Sequence, residues 1–170
     1  MTIKLLGAVC VILGCAGFGF MIASNAKKEI SSLRQLITAL EFMECELSYR
    51  MTPLPQLCRL TASTASGCVK KMFLYLADEL ELQIKPSVEQ CLLTALKKCP
   101  ELPELTKKRF VEFGHTLGVF DLSGQIKSLK LCNTENIQIM EKISHDHTTR
   151  LRSYQTLGLC AGAALVILFI

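Results

Sequence analysis

The sequence has no tryptophan and only three tyrosines among 170 residues, so no aromatic stacking platform for nucleic acid suggests itself. Its net charge of +4 is low for a nucleic-acid binder. The basic residues are dispersed as Lys70-Lys71, Lys97-Lys98 and Lys107-Lys108-Arg109, a pattern of solvated helix faces or of contacts to anionic headgroups. No run alternates apolar and polar residues, and no Asn-Gly or Asp-Gly hairpin turn occurs, which argues against strands. Nothing reads GxGxxG, GxSxG, HExxH or a Walker lysine loop, so no catalytic or cofactor-binding motif supports an enzyme. The nine cysteines are odd in number, scattered, and never spaced CxxC. Cys45, Cys58, Cys68, Cys91, Cys99 and Cys132 therefore read as reduced thiols serving as small hydrophobes, not as zinc ligands or a disulfide scaffold.

Charge is also missing from two long runs. Residues 5–23 and 153–170 carry none, and nearly all the charged residues lie between them. A membrane-spanning helix needs about 20 apolar residues. The first segment is longer than the apolar region of a signal peptide, which argues against cleavage. Lys27, Lys28 and Arg34 follow it, and Arg150 and Arg152 precede the second. By the positive-inside rule the expected order is a transmembrane helix at 4–26, a cytoplasmic domain at 27–152 and a transmembrane helix at 153–170, with both termini outside.

The middle region carries helical spacing only. Leu33, Leu36, Ile37, Leu40, Met43, Leu47 and Met51 share one helix face. Val69, Met72, Phe73, Leu76 and Leu80 form a second stripe, and Val88, Cys91, Leu92 and Leu96 a third. From Asp121, Leu122, Ile126, Leu129, Ile137, Met140, Ile143 and Leu151 line an amphipathic helix that runs unbroken into the C-terminal apolar segment. Thr52 is the expected N-cap of a helix with Pro53 at its first position. Pro86 and Pro103 sit near the starts of others, Cys99-Pro100 ends one, Gly114 and Gly118 flank an end, and Asp121 is placed to cap the last helix. The expected fold is all-α, a membrane-anchored bundle of about six helices.

The acidic stretch before Thr52-Pro53-Leu54-Pro55 is not a catalytic cluster. On a wheel of about 100° per residue, Glu41 and Glu46 lie off the apolar stripe and Glu44 lies on it. A carboxylate on a buried stripe needs a partner, so Glu44 is either a satisfied contact between helices or part of a pocket open to a partner protein. His145 and His147, two residues apart on a helix, point away from each other and do not make a metal site. His115 has no acid nearby in sequence and reads as a core or capping residue.

Two motifs carry a resemblance that covers the whole chain. The first is Leu40, Glu44, Glu46 and Tyr49 before Thr52-Pro53-Leu54-Pro55. The second is Phe113-Gly114, Leu117-Gly118, Asp121 and Gln125. Set between two apolar helices, they resemble the stage III sporulation protein AB family; Val119-Phe120 before Asp121 departs from its pattern. The resemblance implies a fold like the cytoplasmic domain of type II secretion and type IV pilus platform proteins. It implies a non-enzymatic adaptor in the outer forespore membrane, with the middle domain in the mother-cell cytoplasm. The partners it implies are other subunits of the stage III sporulation membrane complex, a secretion-type ATPase among them, and a homo-oligomer is compatible with it. No cofactor, metal or nucleic acid is expected. The residues it marks for protein interaction are Glu44, Glu46, Tyr49, Pro53, Leu54, Pro55, Gly114, Leu117, Gly118, Asp121 and Gln125. An ion or small-molecule carrier is the competing reading, but the apolar segments hold glycines and no ionisable residue, which favours close helix packing over a transport path.

Overall fold

In the computed structural model the backbone is described over residues 2–82, 84, 86–117 and 122–169, and side chains over 24–25, 27–82, 84, 86–117 and 122–145. Among the described residues six α-helices follow one another: α1 (Thr2–Arg50), α2 (Leu54–Thr64), α3 (Gly67–Leu82), α4 (Val88–Lys98), α5 (Glu104–Thr116) and α6 (Leu122–Phe169). No strand occurs among the described residues. The chain divides into two compact units, residues 29–141 and residues 1–28 with 142–170. In the second unit the backbone is helical over 2–28 and 142–169. Among the described residues no helix is long and apolar enough to cross a membrane. The side chains of the expected transmembrane segments, apart from residues 24 and 25, lie outside the described residues.

The first unit is a bundle whose helices alternate in direction, and side-chain bonds fix the register. Gln35 of α1 accepts the Ser66 backbone N–H at 3.1 Å, so α1 at Gln35 is level with the α2–α3 turn. Arg59 of α2 meets Asp78 and Glu81 of α3 at 2.9 and 2.6 Å. The Cys91 thiol of α4 donates to the Glu79 carbonyl of α3 at 3.7 Å, and Lys71 of α3 reaches Glu101, beyond the end of α4, at 3.1 Å. His115 of α5 faces Glu89 of α4 at 3.4 Å, and Arg109 of α5 meets Glu135 of α6 at 2.9 Å. The linker at 51–53, the end of α3 with the start of α4, and the end of α5 with the start of α6 consequently share one end, called here the corner end. The turns at 65–66 and 99–103 share the other.

The apolar stripes meet in one core to which all six helices contribute. Leu33, Leu36, Leu40, Met43, Leu57, Met72, Leu76 and Leu92 are fully buried. Phe73, Phe110 and Phe113 form an edge-to-face triangle with centroids 5.3 to 6.5 Å apart, which ties α3 to α5. Cys58, Cys91, Cys99 and Cys132 are buried as free thiols, and burial pushes the Cys58 thiol up to about 12. Cys45 is exposed.

Local signals were read well in type and less well in position. Ser87 caps α4 by accepting the Gln90 N–H at 3.3 Å, next to the expected Pro86. Pro103 is the N-cap of α5, and Cys99 the C-cap of α4. α5 ends at Thr116, just after Gly114 as expected; Gly114 is itself buried in the last turns of α5, where a Cβ would run into the Leu92 side chain. Close approach of α5 to α4, not a turn, requires glycine there. The expected cap at Asp121 and the glycine at 118 lie outside the described residues.

Candidate docking surface at the helical corner

The α1 stripe ends where the helix does. Leu47 is buried, and α1 stops at Arg50. Met51 adopts a positive φ of 50°, the left-handed conformation that ends helices and that a residue with a Cβ adopts at a cost of about 1–2 kcal/mol. Met51 is on the stripe by count, but this backbone swings it out, and it is 70% exposed. Thr52 is not the N-cap. That position belongs to Pro53, whose carbonyl accepts the Leu57 N–H at 2.8 Å, and Pro55 falls in the first turn of α2.

Thr52 is used differently. Its hydroxyl donates to Glu46 Oε2 at 3.4 Å, and Arg50 lies 3.7 Å from Glu46 Oε1. The linker thus folds over Glu46, whose side chain is only 14% exposed although the wheel sets it off the apolar stripe. Glu46 ties the corner together from within. Glu44 is partly buried, as its place on the stripe requires, and its backbone carbonyl accepts from Ser48 Oγ at 2.8 Å. Tyr49 stands free at 85% exposure. Leu54 is partly buried against the core, Pro55 is partly buried and Pro53 is exposed.

The second motif reaches the same end of the bundle by another route. Gly114 and Leu117 are buried, Gly114 against Leu92 of α4, so neither offers a surface. Gln125 is partly buried on the first turn of α6, and Gly118 and Asp121 lie outside the described residues. His115 is half exposed beside Glu89 of α4, not a core or capping residue. Its partner is distant in sequence, which is why the local reading missed it.

Three exposed apolar residues at the corner end were not singled out as surface features in the sequence: Met51, Leu82 and Ile84. Leu82 lies opposite the α3 stripe on a wheel, and an apolar residue off its stripe was the available signal. Beside Leu82, Arg59 bridges Asp78 and Glu81 with its Nε and Nη2 atoms. The hydrogen bond from Arg59 holds the Glu81 carboxyl below the usual carboxylate range, and Glu81 raises the guanidinium in return. All three groups are exposed, so solvent screens the cluster and it adds little stability.

The chain as a whole is similar to known proteins. The family model for stage III sporulation protein AB matches residues 4–170. The chain belongs to the stage III sporulation protein AB family. A relative of that name from Bacillus subtilis (strain 168) is 28% identical over 169 residues, covering 98% of each chain. A solved structure of a stage III sporulation protein AB is 25% identical, with a TM-score of 0.63 over 71% of this chain and 97% of that one. The family ties the chain to sporulation, and both Tyr49 and Gly114 lie within the matched residues.

Proposed function

We propose that this protein is a non-enzymatic adaptor subunit of the membrane complex of stage III sporulation. The apolar segments 5–23 and 153–170 anchor it in the cell membrane, and the bundle stands in the mother-cell cytoplasm. The observation that carries this reading is the corner. A left-handed residue at Met51 and a partly buried Glu46–Thr52 contact shape the corner, and Tyr49 and Met51 beside them stand out in solvent, where they contribute nothing to the core. A large apolar side chain held out by a built loop is recognition surface. Family membership supports a sporulation role, and the subunits it meets are other proteins of that complex, with a secretion-type ATPase as one candidate.

Glu46 acts here as the internal tie of the corner, and the contact surface is apolar. The test is co-purification of the tagged full chain from sporulating cells. Membrane subunits of the sporulation complex are expected to come with the wild-type chain. If the solubilised chain brings none of them, it is not an adaptor in that complex.

A further inference from the structure

The lysine pairs that are dispersed in the sequence come together in the fold. α4 ends, the chain turns at 99–103 and α5 begins, so Lys97-Lys98 and Lys107-Lys108 flank one turn at the end of the bundle away from the corner. Lys71 of α3 crosses to Glu101 in that turn at 3.1 Å. The Cys99 thiol donates to the Cys68 carbonyl at 3.7 Å, which sets the start of α3, with Lys70-Lys71, against the same turn. The carboxylates among these lysines are Glu101 and Glu104, and each is taken by a lysine, Lys71 and Lys107 respectively. Lys98 reaches Glu79, farther along α3, at 2.6 Å. Lys70, Lys97 and Lys108 are exposed and make no ion pair among the described residues.

The charge of the whole first unit follows the same axis. In the half away from the corner, α1 and α6 add Arg34, Glu29 and Glu141 to these groups, and basic residues outnumber acidic ones. The buried Arg109 is matched by Glu112 and Glu135. In the corner half the sign reverses. There α1 carries Glu41, Glu44 and Glu46 against Arg50, and α3 carries Asp78, Glu79 and Glu81 against no base. Arg59 of α2 and Lys127 and Lys130 of α6 offset only part of this, and Glu89 of α4 adds to it. Lys85 and Asp121, outside the described residues, cancel in sign.

Resting on the membrane anchoring proposed above, we infer that the lysine edge of α3, α4 and α5 docks on the anionic headgroups of the leaflet that the flanking apolar segments enter. The ends of the unit, residues 29 and 141, lie at this end of the bundle. Only residues 24–28 separate the unit from the first apolar segment, and residues 142–152 from the second. These connections are themselves basic, with Lys27, Lys28, Lys142, Arg150 and Arg152 against Asp146. The exposed large hydrophobics lie elsewhere, at the corner end, in the middle of α4 at Leu93 and in the corner half of α6 at Leu131. The lysine edge therefore lacks the apolar anchor on which a protein partner would be seated. Its free cations are point charges on long flexible stems, which suit a fluid layer of headgroups better than the fixed fork of an arginine would.

The test uses the full chain in nanodiscs of phosphatidylcholine alone or of an equimolar mixture with phosphatidylglycerol. Lysines are acetylated with a water-soluble active ester, and the rates are read residue by residue by mass spectrometry. In the anionic discs Lys70, Lys97 and Lys108 are expected to react about fivefold or more slowly than in the neutral discs, the bias of one lysine near an anionic leaflet. Lys127 and Lys130, in the corner half of α6, are expected to react at the same rate in both. High salt is expected to erase the difference. Equal rates in the two kinds of disc, equal slowing at Lys127 and Lys130, or a difference that survives high salt overturns the inference. So does a DNA duplex or polyglutamate that slows the three lysines in neutral discs as strongly as the anionic lipid does, because the edge is then a site for a soluble polyanion. Co-elution with the discs separates the two levels. If the chain stays in the neutral discs and the rates are equal, this inference falls and the anchoring reading stands. If the chain does not enter the discs, the anchoring reading falls, and this inference with it.

Discussion

The two faces of α5 are joined to their neighbours by opposite chemistry. Toward α4 and α3 the buried part of the joint is apolar, with His115 and Glu89 paired at its exposed edge: Gly114 admits Leu92, and Phe110 and Phe113 close the aromatic triangle with Phe73. Toward α6 it is polar. The buried guanidinium of Arg109 donates to Asn136 Oδ1 at 2.5 Å and Glu135 Oε2 at 2.9 Å, and pairs with Glu112 along its own helix. Asn136 is fully buried and passes a hydrogen bond on to the Cys132 sulfur at 3.8 Å. Thr106 Oγ1 and Asn133 Oδ1 are buried on the same two helices with no hydrogen-bond partner among the described residues. An apolar joint resists any change of volume. A polar joint depends on whether both partners of each bond are present, so the two faces should respond differently to substitution.

The largest effect is expected on the apolar face. Phe110→Ala empties the centre of the triangle and should lower stability by about 3–5 kcal/mol, read as a shift of the urea midpoint of the full chain. On the polar face, Arg109→Leu should cost about 1–3 kcal/mol, mainly because it strands the Asn136 amide oxygen; Glu112 and Glu135 can turn to water. Here the comparison sharpens: Arg109→Leu combined with Asn136→Leu should cost less than Arg109→Leu alone. A double variant less stable than the single would show that α6 is seated by something other than this polar pair.

Two smaller effects follow. Gly114→Ala gains about 1 kcal/mol of helix propensity but forces Leu92 aside at about 1–3 kcal/mol, so the net change is a modest loss of melting temperature. A gain would mean that α4 and α5 can separate freely. Met51→Gly removes the penalty of a left-handed residue and should raise the melting temperature slightly while removing part of the exposed patch. Thiol labelling gives a readout without an energy scale. Cys45 should react with maleimide at once, and Cys58, buried and pushed up to about 12, only on unfolding.

Most of the fold was legible because helix stripes report burial directly. Leu33 to Leu47 and Val69 to Leu76 are buried where the spacing sets them. The corner was legible as a break and illegible in its detail. Wheel geometry assumes that the helix continues and that off-stripe means exposed. Met51 violates the first assumption, because the helix ends one residue earlier. Glu46 violates the second, because Thr52 folds back over it. The polar face of α5 was not visible at all. Arg109 lies in a Lys107-Lys108-Arg109 run that reads as solvated, and Asn133 and Asn136 carry no periodic signal of their own. Gly114 does mark the approach to the end of α5, but its contact with Leu92 of α4 carries no signal in the sequence.

The alternating helices also have a parity. With an even number of antiparallel passes, the chain leaves the bundle at the end where it entered: residue 29 of α1 and residue 141 of α6 both lie at the end away from the corner. One pass fewer would have put entry and exit at opposite poles and set one of them at the corner end. Entry and exit are therefore at one level, and the corner end is the pole of the bundle away from both.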